Sequence, residues 1–210
     1  MLHIPICNNF LSSSLSISAA IFLYNLCHGV SHHQYADDTQ LFLAMRASTM
    51  QADLLKLEAC TRDVKSWFAE NNLLLNADKS EVMMIGTSSQ LRLAETTGTV
   101  TVADSCLTVS SQLKSLGVIF DPRLTFEAHV SSVCKACNYH LLALRHIRRV
   151  LPQDVAKTIA SSIVGSRLDY CNAVLYGTPN STTSKLYRRC RTVSLASCCN
   201  SGSLVTHDLY

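Results

Sequence analysis

The spacing of apolar residues changes character at Thr125, and a fold of one class cannot accommodate both halves. Beyond that point Val130, Val133, Cys137, Leu141 and Leu144 recur at intervals of three and four, which predicts a helix from Phe126 to Val150. Leu151-Pro152 breaks it, because the residue before a proline is pushed out of the helical region. A second helix is predicted from about Gln153 to Leu168, with Val155, Ile159 and Ile163 spaced by four. Before Thr125 there is one long helical pattern, Ala47 to Asn72, with Met50, Leu54, Leu57, Val64 and Phe68 on one face. Ser48 or Thr49 can cap its start, and Asn71-Asn72 suits its end. The rest of that half is short and extended: a link at Leu73 to Asn76, a turn at Ala77-Asp78, and a strand from Glu81 to Ile85 ended by Gly86. A polar loop from Thr87 to Gly98 leads to three β segments, Thr99 to Asp104, Cys106 to Ser110 and Ser115 to Phe120. Asp121-Pro122 stops the last of them. The expectation is an α+β chain with a soft boundary near residue 124 and helices after it.

Apolar residues make up 48% of the 210 and charged residues only 16%, so the chain can bury a core and is not of the disordered class. A net charge of +3 is too mild to establish nucleic-acid binding by itself. The ten cysteines have irregular spacing in a long, helix-patterned chain, which points to reduced thiols inside a cell rather than a disulfide scaffold. Phe10 to Cys27 is largely apolar but interrupted by serines, and no Lys or Arg precedes Arg46. It therefore lacks the positive flank of a signal peptide and is poorly suited to a membrane span. The competing reading is a secreted or anchored cysteine-rich protein that uses this stretch for targeting.

Tyr35-Ala36-Asp37-Asp38 lies between the polar run His32-His33-Gln34 and the apolar Leu41-Phe42-Leu43. That is the pattern of a tight β-hairpin with acids at its tip. Carboxylate oxygens are hard ligands for Mg²⁺, and bound metals orient phosphate oxygens for in-line displacement. In isolation the tetrapeptide reads equally as a solvated turn, because Asp bonds its own backbone in turns.

Other groups have a functional and a bland reading. Cys134-x-x-Cys137 with His140 has metal-like spacing but no evident fourth ligand, and both cysteines fall on the apolar side of a helix. Arg145, His146, Arg148 and Arg149 cluster at a helix C-terminus, where they suit either the helix dipole or phosphate contact. A second cluster, Lys185, Arg188, Arg189 and Arg191, reads as a solvated face. Trp67 and Phe68 offer stacking surface but sit at core-like spacing. Arg167 and Asp169 read as either a structural pair or a nucleic-acid contact. No nucleophile-elbow signature supports Ser-His-Asp chemistry.

Taken in order, these blocks resemble the reverse transcriptases of LINE-type (non-LTR) retrotransposons. His28 to Leu41, with Tyr-Ala-Asp-Asp inside it, looks like the catalytic hairpin. Trp67 and Asn71 to Glu81 resemble the helix-turn-strand block that follows, and Leu116 to Asp121 resembles the hairpin that grips the primer. Val133 to Leu141, Ser166 to Asn172 and Leu175-Tyr176-Gly177 resemble the thumb. The resemblance covers about residues 28 to 180.

It implies a partial right-hand polymerase palm (hairpin, helix and small antiparallel sheet) at 28–124 and thumb-like helices at 125–180. Residues 1–27 form an unmatched lead-in, and 181–210 a divergent basic and cysteine-rich tail. The implied chemistry is Mg²⁺-dependent nucleotidyl transfer to a primer 3′-hydroxyl, with an RNA template, a DNA primer and no specific protein partner. Asp37 would bind Mg²⁺ and Asp38 would support or share it. Tyr35, Ala36 and Gly117 would lie near the primer, Lys79 near the leaving pyrophosphate, and Arg145, Arg148 and Arg149 on phosphates. The family has another palm aspartate upstream on a separate strand, yet no Asp or Glu precedes Asp37. The expectation is that the fingers and first palm strand are missing and that the chain is inactive alone. The alternative is a non-catalytic remnant with weak nucleic-acid binding.

Overall fold

A computed structural model describes residues 2–7, 28–36, 38–76, 79–94 and 98–198. Asp37, the turn at Ala77-Asp78, the apolar stretch 10–27 and the tail after Cys198 lie outside the described residues. The chain divides into two units, 1–115 with 121–123, and 116–120 with 124–210.

The first unit contains β1 (Leu2–Cys7), β2 (Ser31–Tyr35), β3 (Asp38–Phe42), α1 (Met50–Glu70), β4 (Leu74–Leu75), β5 (Glu81–Val82) and α2 (Ser88–Ala94), then β6 (Thr99–Val102), β7 (Ser105–Thr108) and β8 (Leu113–Ser115). The larger sheet has the order β2-β3-β1-β4, with β5 also on β1. The expected missing strand is thus corrected: residues 2–7, taken from sequence as lead-in, run antiparallel between β3 on one side and β4 and β5 on the other. Pro5 disguised the strand, because a proline normally argues against a central position. Here Pro5 pairs with Asp38 on the β3 side, while the ladder on the other side holds only Leu2, His3, Ile6 and Cys7. The skipped stretch removes one demand for an N–H that proline lacks.

Helix α1 covers this unit's core with Leu57, Cys60, Val64 and Phe68, which pack with Val30, Leu41, Val82, Val100 and Val102. The first turn differs from expectation in detail. Thr49 is the N-cap residue, but its hydroxyl donates to the buried Asp53 carboxylate at 2.7 Å rather than capping the backbone. The β6–β7 hairpin is anchored to the same helix. Its two turn residues, Ala103 and Asp104, both have left-handed φ (48° and 65°), as a two-residue turn of this hand requires. Thr61 Oγ1 accepts the Ala103 N–H at 3.1 Å, and Lys65 Nζ donates to the Ala103 carbonyl at 3.0 Å and to the Asp104 carboxylate at 2.8 Å.

Two sequence expectations for this half are corrected. The loop Thr87 to Gly98 contains α2, because Thr87 and Gln90 form a reciprocal cap: Gln90 N donates to Thr87 Oγ1 at 3.4 Å and Thr87 N to Gln90 Oε1 at 2.8 Å. The single segment Ser115 to Phe120 is two strands, interrupted where Leu116 and Gly117 both turn left-handed (φ 46° and 81°).

The second unit holds β9 (Val118–Phe120), α3 (Glu127–Ile147), α4 (Gln153–Asp169) and α5 (Asn180–Cys198). Short 3₁₀ turns at Arg148–Val150 and Asn172–Leu175 connect the helices. Val130, Cys134, Cys137, Leu141 and Leu144 of α3 form the core with Ala160, Val164 and Leu186. The stripe expected on α4 is rotated by one residue: Ala156, Ala160 and Val164 are buried, while Val155 faces out. Small side chains at the contact let helix axes approach, and the larger Ile159 flanks the core partly buried. Among the described residues no helix is long and apolar enough to cross a membrane.

Candidate functional site

The acidic hairpin is built by strand pairing. Ser31↔Phe42 through Tyr35↔Asp38 are in register, so only Ala36 and Asp37 bridge the strands. Ala36 has φ 52°, the left-handed conformation that such a two-residue connection demands, and Gln34 Nε2 donates to its carbonyl at 3.1 Å. Tyr35 is exposed, and Asp38 is half-buried at the first position of β3. On the hairpin stem, burial first and the neighbouring His33 second hold His32 below the usual imidazole range. Thr39 and Leu41 are buried on β3, and Gln40 Nε2 donates to Ser115 Oγ on β8.

The strand register brings a second predicted residue to the same stretch of sheet. Asp38 pairs with Pro5 on one side of β1; on the other, β4 ends opposite Ile6 and β5 begins opposite His3. Lys79 lies in the link between those two short strands, so it flanks β1 opposite Asp38. Two interstrand spacings separate such positions by roughly 10 Å. Lys79 is exposed; its own N–H donates to Asn76 Oδ1 at 3.2 Å and Ser80 Oγ donates to the Asn76 carbonyl at 2.8 Å, which shapes the link.

The remaining predicted residues belong to the second unit. Gly117 sits in the left-handed turn before β9. Arg145 and Arg149 are exposed near the end of α3. Arg148 is partly committed to structure, because its Nη1 donates to the Leu151 carbonyl at 3.1 Å. Arg167 Nη2 bonds His140 Nε2 at 3.1 Å, so its printed partner is a histidine rather than Asp169. Trp67 is partly buried, with its ring edge-on to Phe68 at 5.6 Å, as a packing residue would be. Cys134 and Cys137 are buried among aliphatic side chains rather than gathered into a ligand set. Lys185, Arg188 and Arg189 lie along α5, whereas the side chain of Arg191 is outside the described residues.

Sequence reasoning missed β1, the strand beside the acids. Its available signal was the alternation Leu2, Ile4, Ile6, which the proline masked. The strand carries no carboxylate: Leu-His-Ile-Pro-Ile-Cys places Pro5 opposite Asp38. Among the described residues no group of three His, Cys, Asp or Glu side chains is placed to hold a metal ion.

The fold and hairpin define an α+β protein with an acidic two-residue turn flanked by a strand from the chain's beginning. The chain belongs to the reverse transcriptase (RNA-dependent DNA polymerase) family, whose model matches residues 6–120. That match takes in residues ahead of His28 that the motifs had left unassigned, and it ends with β9. No curated protein and no solved structure matches the chain.

Proposed function

We propose that the chain is the palm and thumb portion of a LINE-type (non-LTR) reverse transcriptase and that it does not extend a primer by itself. In this reading residues 28–124 are the palm, 125–180 the thumb, and 181–210 a divergent tail. The substrates are an RNA template and a DNA primer. Asp37 and Asp38 are the carboxylates for a divalent cation, Mg²⁺ in this reading, and Lys79 is the cation nearest the departing pyrophosphate. Arg145 and Arg149 hold backbone phosphates without reading sequence, with Arg148 contributing less.

One observation carries the reading: a two-residue hairpin closed by Tyr35↔Asp38, in a chain that matches the reverse transcriptase family over residues 6–120. A second observation limits it. Two-metal phosphoryl transfer needs carboxylates on both sides of the metal pair, and β1, which abuts Asp38, carries none. The residues present do not fit a complete two-metal centre, so no catalytic step is assigned to this chain alone. That same absence favours the second reading, a non-catalytic remnant with weak nucleic-acid affinity.

The test is primer extension on an RNA template with Mg²⁺, using the purified chain beside an Asp37→Asn, Asp38→Asn double variant. No extension is expected from either, with salt-sensitive binding of primer–template by both. Extension that the double substitution abolishes would refute the incomplete site. Failure to bind primer–template at low salt would refute the polymerase assignment.

A further inference from the structure

Tyr170 stands at the end of α4 and reaches the turn that precedes β9, both within the second unit. Its hydroxyl donates to the Leu116 carbonyl at 2.6 Å. A Cβ built on Gly117 would meet the Tyr170 ring at 3.4 and 3.5 Å, so the ring lies directly against the glycine. Leu116 and Gly117 are consecutive left-handed residues, and Leu116 is a branched side chain in a conformation that L-residues avoid. Tyr170 is itself followed by a left-handed Cys171 at φ 53°, which reverses the chain after the helix. One turn earlier on α4, Arg167 is joined to His140 of α3.

We infer that Tyr170 is a positioning residue: it holds the Leu116–Gly117 turn in its strained geometry so that the turn meets a primer strand as a rigid part of the helical unit. This rests on the polymerase reading above. Core packing does not account for the contact, because Tyr170 and Leu116 are 53% and 40% exposed. Strain held at an exposed turn by one directed hydrogen bond is characteristic of functional sites rather than of stability cores. The phenol suits this position for two reasons. Its hydroxyl reaches the carbonyl of the residue before the glycine, and its flat ring tolerates the backbone beneath it. A side chain at 117 would both strain φ and press on that ring.

The experiment uses the full chain, its Tyr170→Phe variant and a Gly117→Ala variant. Amide hydrogen exchange of the peptide covering 116–120 is measured with α3 as the internal reference. The same proteins are crosslinked to an RNA–DNA primer–template whose primer ends in 4-thiothymidine. Tyr170→Phe should raise exchange in the turn at least fivefold, leave α3 unchanged, and lower crosslinking to the 116–120 peptide at least threefold. Gly117→Ala should lower the same crosslink while leaving α3 exchange unchanged. Unchanged exchange at the turn, equally faster exchange throughout α3, or faster turn exchange with an unchanged crosslink would each overturn the inference. Crosslinks elsewhere on the wild-type chain but none at the turn would remove the positioning role and leave the polymerase reading standing. No crosslink anywhere would refute both.

Discussion

Replacing Cys137 separates a packing cysteine from a metal ligand by magnitude alone. Cys137 is fully buried on α3, and Cys134 one turn earlier is nearly so. Both touch a core formed with Val130, Leu141, Leu144, Val164 and Leu186. Cys137→Ala removes one sulfur, about the size of a methylene group, so burial arithmetic gives a loss of ~1 kcal/mol. Cys137→Ser keeps the volume but buries a hydroxyl, which costs ~1–3 kcal/mol. A bond back to the Val133 carbonyl would offset part of that. A structural zinc site would behave differently: its binding contributes ~10–16 kcal/mol of folding energy, and losing a ligand or the metal would unfold the helices outright. The assay is urea unfolding of the full chain followed by circular dichroism at 222 nm, with and without EDTA. The expected order is wild type, then Ala, then Ser, each shift modest and none changed by chelator. A wild-type midpoint that falls with EDTA, or complete unfolding of the Ala variant, would refute the packing argument.

Thr61→Val should cost ~1–3 kcal/mol despite its matched shape, because it strands the buried Ala103 N–H that Thr61 now accepts; the urea midpoint measures it, and a neutral result would mean that the β6–β7 turn relaxes to another acceptor. His129 is buried without a partner for its Nδ1 among the described residues, and burial holds it below its ordinary range. The unfolded chain therefore binds a proton first, so stability should fall as pH drops from about 7 through the ordinary imidazole range, and His129→Leu should flatten that slope in urea melts at stepped pH. Burial, followed by the Asp63 charge, pushes the Cys60 thiol up to about 11, whereas Cys106 is exposed. At pH 8 only about one Cys60 in a thousand is thiolate, so iodoacetamide should label Cys106 promptly and Cys60 only on unfolding, as read by peptide mass spectrometry.

Long periodic elements were legible in the sequence because burial repeats within each of them. α1 and α3 fall close to the boundaries that Leu57, Val64, Phe68, Val130, Leu141 and Leu144 predict. What was hidden depended on partners distant in the chain. β1 shows only six residues of alternation, with a proline inside, and its strand identity comes from β3, β4 and β5. α4 misled because the bulky Val155 caught the eye while the contact is made by alanines. The hairpin at Ala36 and the turn at Leu116 carry left-handed φ without the glycine or asparagine that usually announces it. Of the candidate site, the Tyr35–Asp38 turn was legible as a local pattern. The placement of Lys79 across β1 was not, because it depends on the register of three strands.

The position of β1 also sets a problem of timing during synthesis. Its residues are made first, yet it is an interior strand of the sheet, and its last partner, β5, is finished only at Val82. At ribosomal rates of ~5–20 residues per second, the intervening ~75 residues take about 4–15 seconds. Throughout that interval the apolar Leu-His-Ile-Pro-Ile-Cys segment has at most one of its flanks covered. Slow codons between Asp38 and Val82 should therefore lower the yield of folded chain, and a chaperone that shields the nascent N-terminus should restore it.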